Sequence, residues 1–486
     1  MKNDIDSKEN SFRSILKGTS MFGGVQVFNI LISTIRLKFV AVILGPAGMG
    51  VAGLFNTASL TIQQLASLGL NLAVVKEIGA SKEKEEQLRD VLASVKRLGL
   101  ITALAGALVC LCLPGILSHF TFGSDRYRTS FLIMAAAIFF SIAGTALMSV
   151  LQGLHEVRRL SKASLVGSLT GLGVGVPMYW LWGTDGIVPA MVVLSLFTCL
   201  WYWWSLRKSL RVSPAAWTSE IHLPILKRIL AMGMILMSND LFKNLVNYLI
   251  LIYVRATGNE MEVGFYQSCN TMTSQYSAIV FTAMAMDYLP RLSAAAGDNR
   301  QLCAIVNRQI EVVGLLVAPI VCAVIFLAPW VIELLQTKAF TVATPLLRIL
   351  ALAVAVRGLM YPLGYIVFAK DNRRLFFWME SIGANILTLS IMCAGYRLFG
   401  LNGLGYAAVA DCTICLLVYI GVNHHLYGYR LSRRAFQTSA ASLASAAGMA
   451  AICFAGDGLL MTTLASALLI AVGAICGRRI LGIWKK

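Results

Sequence analysis

The sequence predicts an all-α polytopic membrane protein. The expected fold is two six-helix lobes, related by a parallel pseudo-repeat around a central cavity, followed by two extra C-terminal transmembrane helices, 14 in total. Three observations lead there. The 486 residues are 58% hydrophobic and only 13% charged, with a mean hydropathy of +0.74, a composition that leaves too little polar surface for a soluble domain of this size. Apolar stretches of the roughly 20 residues needed to cross a bilayer recur along the whole chain. Short motifs also return once, at a nearly constant offset.

The spans run at about 18–45, 49–75, 98–117, 130–152, 163–182, 184–206, 229–254, 262–290, 309–329, 342–369, 375–396, 402–423, 435–455 and 459–477. An even number puts both termini on one side. Of the 41 Lys and Arg residues, 31 fall in loops on the side of the tails, 5 in the opposite loops and 5 inside spans, so both termini are expected in the cytoplasm. The segment before the first span is polar with a weak Phe12/Ile15/Leu16 stripe. It reads as a cytoplasmic tail with a short interfacial helix and not as a cleavable signal. The run Trp201-Tyr202-Trp203-Trp204 then belongs at the cytoplasmic headgroup level.

The repeat appears once the spans are numbered. Arg158-Arg159-Leu160 follows span four, and Arg373-Arg374-Leu375 follows span ten. Asn56-Thr57 in span two returns as Asn270-Thr271 in span eight, at almost the same separation. Six spans bring the chain back to the same side, so the halves are parallel. They are residues 1–212 and 213–430, with 431–486 holding the additional pair and a tail. Pro214 and Pro224 bracket the charged linker between Ser205 and Arg228, which is either a tether between lobes or a surface strap.

A cation in hydrocarbon costs several kcal/mol even after snorkelling, so charged side chains within spans are the candidate functional residues. Arg36 and Lys38 lie on span one, Lys243 on span seven, Arg348 and Arg357 on span ten, and Arg255 at the outer end of span seven. Positions 36 and 38 are about 200° apart around a helix and cannot point the same way. Lys243 follows Asp240 by three residues, so a local ion pair is as good a reading as an anion or proton site. Asn56 and Gln63 on span two, Asn239, Asn244 and Asn247 on span seven, and Gln267 and Asn270 on span eight make these helices polar. They are expected to line the cavity with Asp240. Asp287 and Arg291 read as a stabilising pair, and Glu380 and Asp411 as proton sites or packing acceptors.

Eleven cysteines sit mostly singly in apolar segments, the pattern of small buried thiols. The pair Cys412-Thr-Ile-Cys415 has no second pair or nearby histidine to complete a zinc site. No nucleotide-binding loop or nucleophilic triad is present, so neither an enzyme nor a cofactor is expected. The formal charge of +18 is spread over short loops and follows membrane topology, not a nucleic-acid groove.

Three runs carry a family resemblance: Leu44-Gly45-Pro46-Ala47-Gly48-Met49-Gly50, Asp287-Tyr288-Leu289-Pro290-Arg291-Leu292-Ser293, and Phe340-Thr341 with Gly364-Tyr365-Ile366-Val367-Phe368-Ala369-Lys370. Over about residues 15–425 the chain resembles the Wzx-type polysaccharide flippases, lipid III flippase-like, of the multidrug/oligosaccharidyl-lipid/polysaccharide superfamily. That resemblance implies translocation of an undecaprenyl-pyrophosphate-linked oligosaccharide from the cytoplasmic to the periplasmic leaflet by alternating access. Membrane lipid and polysaccharide polymerase or chain-length machinery are the implied partners. Lys38 and Arg357 fall where a relative also has basic residues, whereas Arg36 and Arg348 find no such match. Two other readings stand beside this one: a cation-coupled multidrug exporter of the same superfamily, and a non-transporting scaffold of a polysaccharide assembly complex.

Overall fold

A computed structural model describes the backbone of residues 2–81, 85–209, 223–456 and 458–484. Side chains are described from residue 28 onward, except at 82–85, 210–228, 231–232, 234–236, 279, 282–283, 285–286, 373, 457 and 483–486. The Phe12/Ile15/Leu16 stripe, the boundary after residue 212 and the prolines of the linker lie outside these side chains.

Among the described residues the structure is helical with no strand. The order is α1 (Lys2–Ser67), α2 (Leu70–Ser81), α3 (Glu85–Cys112), α4 (Pro114–Phe122), α5 (Arg128–Gly153), α6 (Val157–Trp182) and α7 (Ile187–Arg207). It continues with α8 (Leu223–Thr257), α9 (Glu260–Ala294), α10 (Asn299–Leu335), α11 (Thr344–Ala369), α12 (Arg373–Phe376), α13 (Ala384–Tyr427), α14 (Arg433–Ala455) and α15 (Leu459–Trp484). A π-helical stretch, Phe377–Gly383, joins α12 to α13.

Nine helical segments among the described residues are long and apolar enough to cross a membrane. Three of them, Phe28–Ser67, Val157–Arg207 and Arg374–Tyr427, are 40, 51 and 54 residues long, about twice what one crossing needs. Each is broken once by a glycine with positive φ: Gly45 (φ 66°, ψ −171°), Gly183 (φ 57°, ψ −133°) and Gly400 (φ 60°, ψ −144°). Only glycine reaches these angles without strain, and each break falls where the sequence separates two spans. With α8 and α9, at 35 residues each, the helices accommodate all 14 expected crossings.

The chain divides into two compact units, Met1–Tyr248 and Leu249–Lys486, with the boundary inside α8. In the first, α5 packs against α3 and α7, and α6 against α7 and α1. Its core joins Ile78 of α2, Leu92 of α3 and Leu151 of α5, all essentially unexposed. A second knot of rings, Phe55 with Phe122, Tyr127 and Phe131, has centroids 4.8, 5.5 and 5.4 Å apart. At the end of α7, Arg207 and Lys208 cover the rings of Trp203 and Trp204 at 3.9 and 3.7 Å, which suits an interfacial aromatic belt whose cations face headgroups.

In the second unit α11 is the central helix, packed by α9, α10, α13 and α14. The C-terminal pair α14 and α15 packs on α10, with Ala446, Met449, Cys453 and Cys476 sharing the core with Val321 and Ile325. The pseudo-repeat shows in the backbone. His155 and Asp371, at φ 59° and 50°, stand at matching points after spans four and ten. Each N–H is bonded to the carbonyl three residues back, Gln152 at 3.0 Å and Phe368 at 3.1 Å.

Arg348 is buried in α11, at 8% exposure. Its Nη1 donates to the carbonyl of Cys453 at 2.8 Å and its Nε to that of Ile325 at 3.3 Å. Cys453 lies in the last turn of α14, where carbonyls lack an intrahelical partner. The guanidinium therefore caps α14 in place of water and couples it to α10 and α11.

Two outcomes follow from this packing. Gly400→Ala should lower stability by ~1–3 kcal/mol, because nothing crowds a Cβ there and only the backbone angle opposes it. Gly421→Ala, on a helical residue of α13 with equal space, should raise it by up to ~1 kcal/mol; thermal unfolding of the purified protein distinguishes them. Arg348→Met should cost ~1.5–3 kcal/mol and selectively raise maleimide labelling of Cys453 and Cys476, read by mass spectrometry.

Candidate functional site

In the first unit, α1 docks on α6 through polar groups. Asn29 donates to Ser164 Oγ at 2.9 Å and accepts from Ser168 at 3.1 Å. Arg36, seven residues on and so on the same face, is half-buried and lies within electrostatic range of Tyr179 on α6. Lys38 is exposed on another side of α1, beside the exposed Ile35 and Phe39. The two cations thus point apart, as their spacing requires.

Further along α1, Asn56 is exposed. Gln63 donates to Ser59 Oγ at 2.7 Å and accepts from Ser141 of α5. Asn71, just past the helix break at Leu68 and Gly69, accepts from Ser149. On α8, Asp240 and Lys243 are exposed, and among the described residues no ion pair joins them. Asn239, Asn244 and Asn247 are partly exposed on the same helix. Gln63, Asn71 and Asp240 meet around one cavity.

In the second unit, Arg255 sits near Glu260, and its buried Nε has no hydrogen-bond partner. Gln267 and Asn270 are partly exposed on α9, and Gln267 Oε1 is likewise buried without a partner. Arg357 of α11 interacts with the Cys412 thiol and lies within electrostatic range of Asp411 and Tyr266. It also influences Tyr276, whose hydroxyl is buried and unpartnered. Asp411 in turn accepts from Thr388 at 3.0 and 3.1 Å. The result is a compact polar cluster of one guanidinium, one carboxylate and two phenols between α9, α11 and α13.

The structure brings Arg357 together with the Asp411 carboxylate, the Cys412 thiol and the Tyr266 and Tyr276 phenols. Arg348 lies on the α10 and α14 side of α11, held by backbone carbonyls, apart from that cluster. Glu380 accepts from Tyr419, and the exposed Asp287 and Arg291 form their expected pair. Tyr266 and Tyr276 were not singled out in the sequence, where a tyrosine within a span counts toward hydrophobicity. The signal available was that both lie on the span that also carries Gln267, Asn270 and Gln275.

The lipid III flippase of Escherichia coli (strain K12) is 25% identical to the chain over 356 residues, covering 71% of this chain and 82% of that protein. Among solved structures, the inward-facing conformation of a multidrug resistance MATE family transporter of the MOP superfamily superposes with a TM-score of 0.70 at 16% identity, over 82% of this chain and 94% of that one. The lipid II flippase MurJ, in an inward closed conformation, gives 0.68 at 13% identity over 97% and 100%. These structures share the fold. Residues 39–345 match the model of a family of polysaccharide biosynthesis proteins, and with that match the chain belongs to the polysaccharide biosynthesis protein family, on the fold of the MOP superfamily transporters.

Proposed function

We propose that this multi-pass membrane protein is a flippase that moves an undecaprenyl-pyrophosphate-linked oligosaccharide from the cytoplasmic to the periplasmic leaflet of the bacterial inner membrane. It would do so by exposing its binding residues to one face and then the other. The observation that carries this reading is the state of the intramembrane cations. Among the described residues no salt bridge ties up Arg36 or Lys243, although an unpaired cation is costly within a span. A chain of this family has a use for such charges, and the name of the E. coli relative points to a lipid-linked substrate.

The physical chemistry fits. A pyrophosphate carries about two negative charges that hydrocarbon cannot solvate, and guanidinium and ammonium groups replace its hydration with charge-assisted hydrogen bonds. Of the candidate cations, Arg36, Lys38 and Lys243 belong to the first unit and Arg255 and Arg357 to the second, while Arg348 is taken up by the carbonyls of Ile325 and Cys453. The asparagines and glutamines on α1, α8 and α9 take hydroxyl-rich sugar, and the polyprenyl chain stays in lipid. With both termini cytoplasmic, outward movement of the anion is favoured by about 2.3 kcal/mol per charge per 100 mV of inside-negative potential. A polymerase acting on the flipped product is the partner implied.

The drug-exporter reading would need an acidic site open to a cation. Glu380 and Asp411 accept from Tyr419 and Thr388, and the exposed Asp240 lines a cavity beside Gln64 and Asn71.

Lys38→Ala and Arg357→Ala should each weaken binding of the diphosphate by ~1.5–3 kcal/mol and abolish surface polysaccharide while the protein reaches the membrane at normal levels. The measurement is complementation of a flippase-null strain with glycan immunoblotting. Full complementation by both variants removes these residues from the site.

A further inference from the structure

The cavity at the break between α1 and α2 has its own chemistry. Its volume is about 310 Å³, room for about ten waters at ~30 Å³ each, much more than an isolated ion fills. Its lining is largely apolar, with Leu60, Leu72, Ile142 and Met237. Among these stand a few polar groups. Gln64 Oε1 is buried without a hydrogen-bond partner, and the Asp240 carboxylate lines the same space. Gln63 and Asn71 also face it, each already accepting from a serine of α5. The C-terminal end of α1 adds the negative pole of a helix, because Leu68 and Gly69 leave the helical conformation with φ of 48° and 67°. Glycine is required at 69, because a Cβ there would collide with the carbonyl oxygen of Gly233. The backbone of α8 thus closes on the break and bounds the cavity at that end.

A diphosphate does not suit this lining, because the Asp240 carboxylate repels it and no Lys or Arg stands among the described lining residues. A ring that donates from several hydroxyl or amide groups and presents C–H faces does. We infer that this cavity is the subsite for a neutral sugar ring of the lipid-linked substrate, distinct in its chemistry from the cations that hold the diphosphate. Gln64 and Asp240 accept its hydroxyl or amide protons, and Leu72 and Met237 cover its apolar face. The inference rests on the flippase reading and adds to it a division of labour between charge and sugar recognition.

The test is binding of two probes to the purified full-length protein, measured by native mass spectrometry: bare undecaprenyl pyrophosphate and the same lipid carrying a neutral disaccharide. Wild type should bind the disaccharide form more tightly. Gln64→Leu and the isosteric Asp240→Asn should each weaken that form about tenfold, the loss of one or two hydrogen bonds, and leave the bare lipid within about twofold. Equal weakening of both lipids, or no weakening of either, overturns the sugar subsite while the flippase reading stands. A wild type that binds neither lipid overturns the flippase reading and the subsite with it.

Discussion

Hydrocarbon offers no hydrogen bonds, and that absence organises the molecule. A polar group within a span has to be answered by another part of the protein or has to line water. Most are answered. Asn423 donates to the carbonyl of Leu363 at 3.1 Å, and Tyr288 to that of Pro362 at 2.8 Å. Gln336 donates to Ser268. Asn307 donates to the carbonyl of Arg430 at 2.9 Å and accepts from Tyr429, tying the turn before α14 to α10. Against that background the polar groups left over are informative. Gln64 Oε1, Gln267 Oε1, Tyr276 Oη and Arg255 Nε, on α1, α9 and α8, are buried atoms without a hydrogen-bond partner, as are Ser161 Oγ, Ser439 Oγ and the second polar atoms of Gln336 and Asn423 on other helices.

The same constraint shapes the turns. A hairpin made of a few residues at the membrane surface leaves carbonyls of one helix and N–H groups of the next in need of partners. At Gly45, Gly183 and Gly400 the helix is interrupted at a residue in a conformation reserved for glycine, so little backbone is left outside regular hydrogen bonding. Gly183 and Gly400 are separated by nearly the spacing of the sequence repeat. The two halves therefore share turn chemistry as well as helix order.

How much of this could be read from the sequence depended on whether the signal was local. Spans were legible because one apolar run of sufficient length has one meaning in a membrane, and the breaks were legible because glycine stands at each. Arg348 and Arg357 show where legibility stops. They are nine residues apart on one helix, which is about 180° around its axis, so they must face opposite ways. The sequence contains that angle but not which neighbour occupies which side. With α10 and α14 on one side of α11 and α9 and α13 on the other, one arginine becomes a cap for α14 and the other enters a cluster of phenols and a carboxylate.

The first span repeats the lesson at shorter range. Arg36 and Lys38 are about 200° apart; Arg36 shares the face of Asn29, toward α6, while Lys38 lies beside exposed apolar side chains. A count of intramembrane cations therefore overstates the charge available to any one ligand, because a helix that must also pack directs part of that charge into its own contacts. What remains for an anion is set by rotation: the cations whose faces are not already taken by a neighbouring helix. That reduces the diphosphate's candidates to a few groups, and among the described residues no Lys or Arg lines the cavity beside Gly69, where a sugar and not a phosphate finds matching partners.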